Sequence, residues 1–250
     1  MLTDPVFYAV AIPAVVFAGI SKGGFGSGAA FAATPILALV VEPGVALGVM
    51  LPVLMLIDVA TLKAYWGKWS WPDARQLMLG GLPGVMLGAA LWQVAPDDVF
   101  RVLIGLVALG FVAWKLLGAR AMLRFEPRPY PGWVGPFTGV IAGFTSFISH
   151  AGGPPVAVYL LARGLAKTTY QATTVLTFWA INVFKFFPYA FLGIFTLETL
   201  ATDLILAPFA LLGAWLGVKA HRIVPERLFF GVTYTMLTLA GAKLLYDALA

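Results

Sequence analysis

The chain of 250 residues has no cysteine, only two histidines (His150 and His221), and charged residues at just 11% of positions. Without cysteine there is no disulfide framework and no thiolate chemistry. Two histidines and no clustered Asp or Glu argue against a metal centre. Also missing is any polar stretch longer than about twenty residues, so no separate soluble domain is expected. What is present is apolar: 61% of residues are hydrophobic and the mean hydropathy is +0.93, which leaves too little polar surface for a water-soluble globule. The chain reads as an integral membrane protein whose site lies within the membrane. Its net charge of +5 flanks the apolar segments, a distribution that membrane topology explains without nucleic acid. The opening "MLTDPVFYAVAIPAVVFAGI" has no basic n-region and reads as a retained membrane segment.

Apolar runs between charged or Gly/Pro/Trp-rich breaks predict ten helical segments at 5–21, 29–41, 44–62, 76–94, 99–117, 133–148, 153–162, 168–191, 199–218 and 228–247. Six have spanning length and four are short or interrupted. A crossing needs about 20 residues, so the stretch from Trp133 to Ala162 is too short for two crossings and a turn and predicts a re-entrant hairpin. The longer stretch from Pro5 to Val41 is either a second such hairpin or two full spans. The expected fold is therefore an all-α polytopic membrane protein with about eight full spans plus two hairpins, or ten segments.

Connections after the odd segments carry thirteen of the sixteen Lys and Arg, from Lys22 to Arg227. The even side and both termini hold Asp4, Glu42, Asp97, Asp98, Glu198, Asp203 and Asp247 against Arg101 and Lys243. The basic loops are predicted cytoplasmic and both termini periplasmic.

The two halves resemble each other. At an offset of 124, Ala18-Gly19 meets Ala142-Gly143 and "IDV" (Ile57–Val59) meets "INV" (Ile181–Val183); at 129, Gly84 and Gly88 meet Gly213 and Gly217. Because the first half starts outside and the second inside, the repeats are inverted. The units are 1–118 and 133–250, joined by a cytoplasmic connection at 119–132 that holds the proline-rich "EPRPYPG". Inverted repeats with Gly/Pro-interrupted segments at matching positions point to the binding site of a secondary transporter.

Two breaks match in this way, "SKGGFGSG" (Ser21–Gly28) and "TSFISHAGGPP" (Thr145–Pro155). Irregular backbone at membrane depth must line a polar cavity or be buried in protein. Helices starting after each break would aim free N–H groups and positive dipole ends at the tips, which suits a small anion. The candidate binding residues are Ser21, Lys22, Gly23, Gly24, Gly26, Ser27 and Gly28 from the first break and Ser146, Ser149, His150, Gly152 and Gly153 from the second. Two full spans in the first hairpin would instead make Lys22 an ordinary loop lysine. Within long segments lie Asp58, Asn182 and Lys185, with Thr177 and Tyr189 as weaker candidates. Asp58 and His150 are candidates for carrying a coupling proton; structural pairing is the competing reading for both. Gly84, Gly88, Gly213 and Gly217 are read as helix-packing residues, which also permit a homodimer, and Trp66, Trp69, Trp71, Trp92 and Trp133 as interfacial anchors in membrane lipid.

"SKGGFGSG" followed by Pro35, then "SHAGGPP", the duplicated halves and the basic central connection together resemble the sulfite exporter TauE/SafE family of bacterial inner-membrane proteins. The resemblance spans essentially the whole chain and implies transport of sulfite, sulfonates or sulfoacetate-like anions, coupled to an ion gradient. It carries the family's Gly and Pro positions onto Gly23, Gly24, Gly28, Pro35, Gly152, Gly153 and Pro155. A proton-coupled anion carrier without a tightly bound cofactor is the first reading. A passive anion channel is the second. An intramembrane serine hydrolase pairing Ser27 with His150 is the remote third.

Overall fold

The computed structural model describes residues 4–25, 29–118, 131–220 and 226–249. Among them are ten α-helices and no strand: α1 (Pro5–Ile20), α2 (Ala33–Leu37), α3 (Pro43–Leu62), α4 (Trp71–Val94), α5 (Asp97–Gly118), α6 (Val134–Ser149), α7 (Gly153–Ala162), α8 (Lys167–Phe191), α9 (Leu197–Ala220) and α10 (Glu226–Leu249). Pro5, Pro43, Pro72 and Pro154 sit in first helical turns, where the missing N–H has no intrahelical partner to lose. The Asp4 carboxylate caps α1 by accepting the Val6 N–H at 2.9 Å.

Five helical stretches are long and apolar enough to cross a bilayer: Pro5–Gly24, Pro43–Tyr65, Trp71–Val94, Lys167–Phe191 and Leu197–Lys219. The first gains its length from a π-helical turn, Ser21–Phe25, that continues α1. Its partner arm is much shorter than the predicted 29–41 segment, only a 3₁₀ turn at Ala30–Ala32 and the five residues of α2. The first hairpin thus has one full-length arm and one short arm. The second has two short arms, α6 with 16 residues and α7 with 10, or about 24 and 15 Å at 1.5 Å per residue. Large apolar side chains cover the outer faces, among them Leu79, Leu82 and Met86 on α4 and Leu200, Leu204 and Leu211 on α9. That is the surface of a multi-pass membrane protein.

Helix α4 packs against α6 and α1 against α9; α3 packs against α8 and α9, α8 also against α4, and α5 against α10. The two glycine-lined contacts are as tight as backbone allows. A Cβ on Gly84 would stand 2.1 Å from the Val140 carbonyl oxygen, and one on Gly213 would stand 2.5 Å from that of Val16. Two of the apolar clusters form the core, one including Phe7, Met50, Phe100 and Leu206 and another Leu77, Phe147, Leu160 and Ile181.

Candidate functional site

Four polar residues meet where α3 packs against α8 beside the π-turn. The wide turn carries Lys22 inward, and its carbonyl accepts from Gln171 Nε2 at 3.0 Å; such turns recur at functional sites. Lys22 Nζ stands 2.5 Å from Asp58 Oδ1, and both side chains are buried. The other Asp58 oxygen accepts from Asn182 Nδ2 at 2.7 Å. Asn182 follows Asp58 by 124 positions, so the residues that the internal repeat aligns are in direct contact.

The second break supplies the facing wall. Helix α6 ends where His150 takes up the left-handed conformation, φ 55° and ψ 17°, the only positive φ outside glycine among the described residues. The His150 N–H bonds to the Ser146 carbonyl at 3.0 Å and the Ala151 N–H to that of Thr145 at 3.2 Å, a cap that usually places glycine at this position. An L-residue there costs about 1–2 kcal/mol. His150 Nε2 faces the Leu47 carbonyl oxygen at 3.3 Å, which can only accept, so Nε2 bears the hydrogen. Nδ1 then accepts from Lys185 Nζ at 2.7 Å, and Lys185 also donates to the Ser146 carbonyl at 3.1 Å. Among the described residues no carboxylate bonds to Lys185, although its side chain is fully buried.

Between the two walls is a cavity of about 10 Å³, with Lys22, Ser146, His150, Gly153 and Asn182 on its polar side and Phe31, Leu54 and Phe178 on its apolar side. It has room for about one water. Of the predicted binding residues, these five line it and Lys185 is one bond away. Ser21 is buried at the start of the π-turn. Ser149 donates to its own helix, to the Thr145 carbonyl at 3.1 Å. Gly23 and Gly24 face α9, where added Cβ atoms would stand 2.5 and 2.3 Å from the Ala214 and Gly217 oxygens; close helix contact accounts for glycine at both. Gly152 is likewise enclosed, by the Ala142 oxygen and Phe178. Gly26, Ser27 and Gly28 lie outside the described residues. Tyr189 donates to the Phe147 carbonyl at 2.6 Å, bracing α6 against α8, and the buried Thr177 hydroxyl has no partner.

Sequence reasoning missed a network at the far end of α7. Asp73 accepts from Tyr159 and from Arg163 Nε, both at 2.9 Å, and from the Ser70 hydroxyl at 2.6 Å. The Ser70 N–H in turn donates to Thr173 Oγ1 at 2.9 Å. Together these bonds tie α7 to α4 and α4 to α8. Only the oddly buried pairing of a segment-end acid with a loop arginine could have signalled it. In this cysteine-free chain, a cysteine placed at Ser146 reports access to the cavity. Asp73→Ala is expected to raise its alkylation rate severalfold; an unchanged rate would show that the network does not hold the hairpin closed.

The family model described as sulfite exporter TauE/SafE matches residues 11–244. No curated protein and no solved structure matches the chain.

Proposed function

Because the chain belongs to the sulfite exporter TauE/SafE family, a family of membrane transport proteins, we propose that it is a secondary transporter of small sulfur-containing or organic anions, such as sulfite and sulfonates, across the bacterial inner membrane. The observation that carries this reading is the charge count at the cavity: two buried lysines, Lys22 and Lys185, face one buried carboxylate, Asp58. An uncompensated ammonium in a low-dielectric interior is costly, and an incoming oxyanion removes that cost. Its oxygens would take hydrogen bonds from Lys185 and from the Ser146 hydroxyl, with Asn182 and the start of α7 at Gly153 beside them.

At Lys22, Asp58 holds the place that an oxygen of the anion would take. An arriving anion competes with it, and Asp58, still held by Asn182, is then released from Lys22. His150 is tied in the same way, its Nδ1 freed only when Lys185 turns to the anion. A cavity that holds about one water is smaller than sulfite, so binding has to part the two hairpins, as a carrier does and an open channel need not.

The halves would move as two inverted repeats, 1–118 and 133–250, joined through 119–132, with both termini periplasmic. Supporting this is the exchange symmetry of helix contacts: α4 on α6 answers α9 on α1, α3 on α9 answers α8 on α4, and α3 on α8 is its own counterpart.

Lys185→Met tests the reading. Removing a buried charge that no carboxylate balances should leave thermal stability equal or raised. Sulfite binding, followed by tryptophan fluorescence of the purified protein, should weaken at least about 100-fold, as loss of a buried charge contact of about 3 kcal/mol implies. Unchanged affinity would remove Lys185 from the site; lowered stability with normal affinity would make it structural.

A further inference from the structure

A second buried acid stands apart from the cavity. Asp203 is the seventh residue of α9, about 9 Å below the start of that helix, at the end which the charge pattern places outside. Its neighbours Leu204 and Ile205 face outward, but Asp203 itself is 8% exposed, and neither carboxylate oxygen has a hydrogen-bond partner. The other two buried aspartates have charged or polar partners, Asp58 an ion pair with Lys22 and a hydrogen bond from Asn182, and Asp73 the groups of Arg163, Tyr159 and Ser70. The elements that pack against α9 are α1, α3 and the π-turn. Their ionisable groups are Tyr8 on α1 with the exposed cap Asp4, Asp58 on α3 with its preceding Glu42, and Lys22. On α9 itself, Glu198 is exposed and Lys219 lies over the Trp215 ring. None of these is bonded to Asp203. The buried Tyr8 hydroxyl also has no partner.

We propose that Asp203 is a proton-binding site of the transport cycle, separate from the anion cavity. A bare carboxylate inside a membrane protein is expensive, and a carboxyl that takes up a proton on burial avoids that expense. Opening of the outer end of α9 exposes the group to outside water, where it takes up a proton; closure buries it protonated, and the proton leaves on the other side when the cycle opens inward. Asp203 thus responds to the outside pH. This deepens the transport reading by naming where the driving proton binds.

The test uses Asp203→Asn and Asp203→Glu in proteoliposomes, with labelled sulfite as the probe. Asp203→Asn is expected to retain sulfite counterflow within about twofold of wild type and to lose all stimulation by an imposed pH gradient. Asp203→Glu should keep the stimulation with a displaced pH profile. Infrared difference spectra supply a readout independent of transport: wild type should show the carbonyl band of a protonated, buried carboxyl at neutral pH, and Asp203→Asn should lack it. Wild-type gradient stimulation in Asp203→Asn, or a carboxyl band that survives the substitution, would overturn the proposal. So would a drive that follows a sodium gradient and ignores pH. If wild type moves no sulfite at all while the band is present and lost on substitution, the sulfite reading has failed and the proton site stands.

Discussion

The double variant Lys22→Met/Asp58→Asn should fold about as well as the wild type, whereas each single substitution should cost about 3–5 kcal/mol of stability. Removing Asp58 leaves the Lys22 charge buried beside Phe31, Leu54 and Phe178 with no carboxylate to answer it, and removing Lys22 leaves the buried Asp58 carboxylate with only the neutral Asn182 bonded to it. Removing both leaves two neutral side chains of similar volume, with Asn182 still able to donate to residue 58. Transport should not recover with the fold: uptake in the double variant is expected to stay at least about 100-fold below wild type, in line with the loss of a buried charge contact. Thermal unfolding of the detergent-solubilised protein beside proteoliposome uptake separates the two roles. Wild-type flux in a folded double variant would show that the ion pair is structural only. Single variants as stable as wild type would show that the pair is not buried. Lys22→Ala alone does not distinguish function from folding, because Asp58 sits 2.5 Å away.

Gly84→Val is the second large effect expected. The added Cβ would fall 2.1 Å from the Val140 carbonyl oxygen, and that atom belongs to the backbone of α6 and cannot turn aside. The helices must separate, at a cost of about 3 kcal/mol or more, and Phe147, which Gly88 meets one turn further on, loses its seat. The predicted result is a protein that aggregates or melts well below wild type. Gly110→Ala on α5, where a Cβ meets nothing within 4 Å, should be neutral. Equal melting of Gly84→Val and Gly110→Ala would contradict the close α4–α6 contact.

Much of the layout was legible in the sequence because lipid imposes it. Apolar runs bounded by charges mark helices when no water is available to satisfy backbone groups, and the predicted segments match nine of the ten helices closely. The second segment was the exception: composition could not show that the chain after Ala29 closes into a 3₁₀ turn and five helical residues. Spacing put Asp58 and Asn182 at equivalent positions of the two halves, though not in contact, and the small-residue pattern placed Gly84 and Gly213 in helix contacts. The His150–Lys185 pair was not legible as a pair, since 35 residues and a hairpin separate its members. Nor does any local signal distinguish a histidine in the left-handed cap from one in the helix before it. Gly23 and Gly24 looked like ligand glycines because Lys22 precedes them, yet their α-carbons face α9. Asp203 resembled an ordinary acid at an outer segment end; only the turn of α9 that carries it inward reveals it.

Labelled sulfite uptake into proteoliposomes, wild type beside Lys185→Met, with and without an imposed pH gradient, tests the central claim most directly. Saturable uptake by the wild type is expected, faster under the gradient, with uptake at least about 100-fold lower in a stably folded Lys185→Met. Equal uptake by both proteins, or no uptake of sulfite or any small sulfonate by folded wild type under any gradient, would contradict it.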